Sequence, residues 1–457
     1  MAASAPASAS GTAPARVVIL GAAGRDFHNF NMVYRDDPAS RVLAFTGAQI
    51  PGIAGRTYPP VLAGALYPEG IPIIAEEALE DFCRARAVDA VVFAYSDVPH
   101  EHVMHLASRA LALGADFLLL GPARTMLRSA LPVIAVTAVR TGCGKSAIAR
   151  FIAARLRRCG RRVAVLRHPM PYGDLARERV QRFASLADLD HARCTVEERE
   201  EDEPHLATGN LVFAGVDYAA ILAAAESEAD IIVWDGGNND FPFIRPDLHI
   251  AVADALRLTQ LATHHPGEAV ARMADVIIVN KVDAAPEADV AALTARCRTL
   301  NPRARLLRGA SPVRLDTPAM AKGRRALVVE DGPTITHGGM AHGAGFVAAE
   351  AAGVAEIVDP RLSAPAEIAA VFAAWPHIGK VLPALGYSPT QLSAIEATIN
   401  RSPADIVVAA TPVELGRLIH SDKPLLRARY DFAEAGEPTL GAVIDDFLAE
   451  AGGGRKG

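Results

Sequence analysis

The stretch VIAVTAVRTGCGKSAIAR at 133–150 constrains this chain more than any other part of it. An apolar run that ends in Thr-Gly-Cys-Gly-Lys-Ser and opens into an amphipathic helix is the strand–loop–helix of a phosphate-binding loop. Gly142 and Gly144 permit the tight bend that turns backbone N–H groups towards phosphate oxygens. Lys145 then reaches the β- and γ-phosphates, and the Ser146 hydroxyl can ligate Mg²⁺. The loop therefore predicts binding of a nucleoside triphosphate with Mg²⁺ through Arg140, Thr141, Gly142, Cys143, Gly144, Lys145, Ser146 and Ala147. Val139 stands where the strict GxxxxGK[ST] pattern has its first glycine, and Arg140 where one subclass of these loops carries a second, signature lysine.

Three later elements sit where such a loop needs company. Asp235 ends the apolar run ADIIVWD, a position from which a carboxylate can hold Mg²⁺ together with Ser146; Asp240 is a second, weaker candidate. NKVD supplies Asn280, Lys281 and Asp283 at another strand end. In that motif Asp accepts from a guanine base, the Lys stem packs on it and Asn ties back to the phosphate loop; GASP at 309–312 can supply a second base loop. Adenine lacks the donors such an Asp reads, so ATP and GTP both stay open. Between the phosphate loop and Asp235, LRHPMPYGD (166–174) places Arg167, His168, Tyr172 (which lies outside the residues described below) and Asp174 directly after a strand, where an acceptor would approach the γ-phosphate. The alternative is an ordinary basic loop. The acidic stretch VEEREEDEPH (196–205) reads as a solvated loop or helix face, and HxHxxH at 100–105 as exposed polar residues.

Apolar strands alternating with helical patterns predict an α/β protein with mostly parallel sheets. We expect a tail over 1–15, an N-terminal Rossmann-like domain over 16–128 and a central phosphate-loop domain over 129–325. A smaller C-terminal α/β domain follows over 326–450, then a tail over 451–457. The turn GAAGRDF after the first strand fits either a phosphate at a helix start or a plain tight turn. A formal charge of −6 over 457 residues gives no footprint for nucleic acid. No apolar run reaches a membrane span, and five scattered cysteines without a CxxC pair fit a reducing compartment, so a cytoplasmic protein is expected.

Taken together and in order, GAAGRDFHNFN, TGCGKS, RHPMPYGD, WDGGNNDFPF, NKVD and EDGPTITHGGMAHGAG resemble the cyclic 2,3-diphosphoglycerate synthetase family, also described as predicted GTPases. The resemblance covers about 16–440. It implies an ATP-dependent ligase that phosphorylates 2,3-diphosphoglycerate and closes a phosphoanhydride ring, with Lys145, Asp235, Arg167, His168 and Asp174 as catalytic candidates. Arg25, His28, Arg167, His168 and His337 are the candidates for holding the phosphorylated small-molecule substrate. The nearest branch of phosphate-loop proteins also contains dimeric regulatory or metallochaperone-type GTPases, which makes a homodimer and slow hydrolysis the competing expectation.

Overall fold

The computed structural model describes residues 13–48, 53–168, 173–236, 240–336, 338–384 and 388–453. The chain forms two compact units. The first comprises Met1–Tyr95, Glu101–Thr125 and Asp174–Arg179; the second comprises Ser96–His100, Met126–Gly173 and Val180–Gly457.

The first unit is built on a six-stranded sheet ordered Thr57–Tyr58, Ile71–Ala75, Ser40–Gly47, Ala15–Leu20, Ala90–Phe93 and Asp116–Leu119, parallel apart from the Thr57–Tyr58 edge. Phe27 and Phe30 pack edge-on against Phe45 beside Tyr58, all buried. The glycine-rich turn after the first strand is the plain tight turn. The Asp26 carboxylate accepts from Ala23 N–H at 2.8 Å and Phe27 N–H at 2.7 Å, so it occupies the turn that a phosphate would need.

The second unit contains two sheets. The larger has nine strands in the order Gln181–Phe183, Leu211–Ala214, Val163–Arg167, Ile231–Asp235, Val133–Ala138, Leu248–Asp254, Val276–Asn280, Arg305–Ala310 and Ala433–Glu434. Its seven inner strands are parallel and the two edges antiparallel. Strands such as VIAVTA and VIIVN are buried at every position because helices cover both faces. The phosphate-loop strand Val133–Ala138 lies between Ile231–Asp235 and Leu248–Asp254, which brings both strand-end aspartates beside the loop. The smaller sheet has six strands, Val313–Leu315, Leu425–Tyr430, Ile406–Ala410, Arg325–Asp331, Glu356–Ile357 and Leu382–Ala384, with its own apolar core.

Two expectations are corrected. The last segment does not stay with the C-terminal sheet: Phe432, Leu440, Val443 and Ile444 join the core of the phosphate-loop sheet, because the closing helix Leu440–Gly453 carries its apolar face against the helix Lys145–Arg158. The acidic stretch is a helix, Val196–Ala207, started by a Thr195–Glu198 capping box, and it is not wholly solvated, since Asp202 and His205 are buried. Among the described residues no helix is long and apolar enough to cross a membrane. Ile444 is fully buried, so Ile444→Ala is expected to cost roughly 2–5 kcal/mol in denaturant unfolding of this unit. A change below about half a kcal/mol would mean that the closing helix does not seal this core.

Candidate active site

The phosphate loop is held from behind. Asn280 Nδ2 donates to the Cys143 carbonyl at 2.8 Å, Lys281 Nζ to the Gly142 carbonyl at 2.7 Å and Arg257 Nη2 to the Thr141 carbonyl at 2.7 Å. A trans peptide points its N–H opposite to its C=O. Tying back three consecutive carbonyls therefore turns the amides of Gly142, Cys143 and Gly144 outward together. Gly142 and Gly144 have φ of +81° and +97°, and a Cβ on Gly144 would lie 2.4 Å from Asn280 Nδ2, so only glycine fits there. Asp254 anchors the clamp by pairing with both Lys281 (2.7 Å) and Arg257 (3.0 Å). Burial works against its carboxylate, but those two cations outweigh it and hold the group below its ordinary range.

On the other side of the loop stands Asp235. It accepts from Lys145 Nζ at 2.7 Å and His205 Nε2 at 2.9 Å, it pairs closely with Arg167, and Ser146 Oγ lies 3.5 Å away. Burial opposes its ionisation, yet Arg167, Lys145 and His205 together keep it ionised well below the usual carboxylate range. Burial pushes the Lys145 ammonium below its ordinary value despite the pull of Asp235. His205 is driven down to about 4 by burial and is neutral at pH 7. Its Nδ1 accepts from Asn210 Nδ2 at 3.0 Å, which leaves the proton on Nε2 to donate to Asp235.

Several predicted residues are placed differently from expectation. The Arg140 guanidinium pairs with Asp97 at 2.6 Å and donates to Gln260 at 2.8 Å. Arg167 is buried between Asp235 and Glu201, so it positions Asp235 and is not itself presented to an acceptor. His168 pairs with Asp240 at 3.2 Å. Asp174 groups with the first unit, where it is exposed and caps a turn at Ala176 N–H. The Lys281 amine is spent on the loop, and Asp283 accepts from Ser311 N–H at 2.8 Å, linking NKVD to GASP. Arg25 and His28 are buried in the first unit with hydrogen bonds to Thr125. His337 lies outside the described residues.

Sequence reasoning missed four participants. Asp254 carried a usable signal, since it ends an apolar strand just as Asp235 does. Arg257, Asp202 and His205 carried none, because tertiary packing alone selects them. Asp202 is buried beside Arg167 and Asp235, and burial lifts its carboxyl to about 7.

Lys145 and Ser146 open onto a cavity of about 520 Å³. The loop and the helix Lys145–Arg158 form one wall, residues of Val196–Ala207 another, and the C-terminal sheet the third, through Asp331, Thr411, Arg427 and Tyr430. A chamber of that size holds a nucleotide's phosphates and a small acceptor at once.

The neutral His205 gives a pH signature. A buried imidazole held down to about 4 contributes fully above the unfolded value near 6.5 and loses that contribution as pH falls towards 4. The stability advantage of the native protein over His205→Gln should therefore shrink across that window, by on the order of 1 kcal/mol or more. A pH-independent difference would mean that burial does not hold His205 neutral.

Residues 222–308 match the family model described as CobW/HypB/UreG, nucleotide-binding domain, a stretch that contains Asp235 and Asn280–Asp283. Among solved structures, LpxK from Aquifex aeolicus in complex with ATP is similar at 13% identity and a TM-score of 0.42, over 70% of this chain and 90% of that one. A ParA family ATPase from Chlorobium tepidum follows at 18% identity and a TM-score of 0.24, over 39% and 83%. Arginine synthetase ArcE of Thermococcus kodakarensis is 55% identical over 432 residues, which cover 94% of this chain and 96% of that protein. That relative is named for arginine and not for cyclic 2,3-diphosphoglycerate. The chain carries a phosphate-loop nucleotide-binding domain and belongs to the family of arginine synthetase ArcE.

Proposed function

We propose that this protein is an ATP-dependent synthetase that forms arginine by phosphorylating the ureido oxygen of L-citrulline and displacing the phosphate with ammonia. The observation that carries the reading is the chamber in front of Lys145, walled on its far side by a second sheet. A hydrolytic switch has no use for a built acceptor space, whereas a ligase must hold acceptor and γ-phosphate together and away from water. The 55% identical relative's name supplies the product. Arginine differs from citrulline by exchange of the ureido oxygen for nitrogen, and a ureido oxygen leaves only once activated.

The ureido oxygen attacks the γ-phosphorus and ADP leaves, giving an O-phosphorylated isourea. Ammonia adds to its central carbon, the C–O bond breaks, and inorganic phosphate departs with the former ureido oxygen. A proton is lost from the added nitrogen, and the guanidinium remains. The outward amides of the loop and Lys145 would stabilise charge on the transferring phosphoryl group. To do so Lys145 must exchange Asp235 for phosphate oxygens, and the Arg167–His205 pair keeps Asp235 in place meanwhile. Ser146 Oγ and Asp235 are oxygen donors of the kind Mg²⁺ takes, and they would hold that ion, which supplies charge neutralisation to the phosphates. His168 pairs with Asp240 just beyond the Arg167 strand and is not among the residues that line the chamber.

The motif resemblance favours a second reading, in which 2,3-diphosphoglycerate is the acceptor and its own second phosphate plays the part of ammonia. Incubating the protein with Mg²⁺ and ATP or GTP separates the readings. Citrulline with ammonium should raise phosphate release and yield arginine in equal amount. Stimulation by 2,3-diphosphoglycerate alone would move the assignment to the cyclic product. Hydrolysis indifferent to both would favour the GTPase alternative and overturn the synthetase. Lys145→Ala should lower turnover by roughly 10³-fold or more. Near-native rates in that variant would put the chemistry elsewhere.

A further inference from the structure

The C-terminal strand LLRARY (Leu425–Tyr430) alternates, so that Leu426 and Ala428 enter the C-terminal core while Arg427 and Arg429 project from the opposite face. Arg427, Arg429 and Arg417 all line the chamber that opens on Lys145. Two of them are ion-paired: Arg429 with Asp316 at 2.9 Å and Arg417 with Glu414 at 2.9 Å. Arg427 is half-buried beside Arg429, and among the described residues no carboxylate lies within ion-pair distance of it. Its hydrogen bond, from Nη2 to the Pro412 carbonyl at 2.7 Å, fixes the direction of the guanidinium without offsetting its charge. Burial and the neighbouring Arg429 charge press its pKa below the ordinary arginine value, and the carboxylates of Glu414, Asp316 and Glu203, beyond pairing distance, pull the other way without reversing this. A half-buried cation beside a second cation is costly unless an anion comes to it.

We propose that Arg427 is the acceptor anchor of this enzyme: its guanidinium binds the carboxylate of the acceptor amino acid and so points the other end of that molecule at the γ-phosphate. A planar guanidinium takes a carboxylate through two parallel bonds, which orients as well as binds. Another cation of the chamber, Arg150, stands on the phosphate-loop helix. Arg150 follows Ser146 by one helical turn on the same helix face, and its charge is felt by Lys145. The proposal rests on the synthetase reading for the identity of the acid, and on the unpaired Arg427 for the anchor itself.

Calorimetric titration in the presence of Mg²⁺ and a non-hydrolysable ATP analogue tests it without turnover. Citrulline should bind Arg427→Gln at least tenfold more weakly than the native protein, while affinity for the ATP analogue and the melting temperature stay unchanged. Citrullinamide, which lacks the carboxylate, should bind both proteins equally and weakly. If Arg427→Gln fails to fold, Arg427→Lys serves, with a smaller loss expected because a lysine cannot make the paired bonds. Citrulline binding unchanged in the variant overturns the anchor and leaves the synthetase reading standing. Binding of 2,3-diphosphoglycerate but not citrulline, weakened by the substitution, retains the anchor and overturns the arginine reading. Binding of neither acid by the native protein overturns both.

Discussion

The buried carboxylate of Asp235 is the point on which the active-site chemistry turns. It is out of contact with water, and an isolated charge there would be untenable, so the structure surrounds it with Lys145, Arg167 and the neutral His205. Each partner comes from a different element: the phosphate-loop helix, the strand Val163–Arg167 and the helix Val196–Ala207. The pairing therefore sets how these elements approach one another. Removing one partner of such a buried set typically costs about 3–5 kcal/mol, because the remaining charge is stranded. Arg167 and His205 leave Asp235 charged and fixed even when Lys145 departs. The same arrangement that stabilises the fold makes Lys145 available to phosphate.

A second set of charges works on the backbone. Asp254 gathers Lys281 and Arg257, and these with Asn280 tie down three loop carbonyls. The outward amides are thus fixed before any anion arrives, and fixed dipoles stabilise developing charge without reorganising. Arg257 also donates to the Gly338 carbonyl at 3.0 Å, so the glycine-rich loop of the C-terminal sheet is tied to the same clamp. The wall that closes the chamber and the loop that would hold the triphosphate share one anchor.

Much of this was legible in the sequence. The α/β class followed from apolar strands alternating with helices, and TGCGKS, WD and NK each stand at the end of a strand that neighbours another. What escaped was decided by packing at long range. Nothing local distinguishes His205 from the six acidic residues before it, and its burial follows from where the helix Val196–Ala207 lands. Arg140 occupies the place of a signature lysine but meets Asp97, a residue 43 positions earlier, which no spacing rule anticipates. Arg167 looked like an acceptor ligand because it follows a strand. The register that pairs it directly with Asp235 turns it into a positioning residue instead. The closing helix was assigned to the nearest sheet in sequence, whereas its apolar face found the phosphate-loop core.

In the proposed reaction the γ-phosphoryl group is passed to an oxygen of the acceptor. This transfer is tested most directly by running the reaction with citrulline carrying ¹⁸O in its ureido group and measuring the released phosphate by mass spectrometry. The account predicts one ¹⁸O atom in the inorganic phosphate for each arginine formed. Unlabelled phosphate, with the ¹⁸O found in water or retained in citrulline, would contradict it.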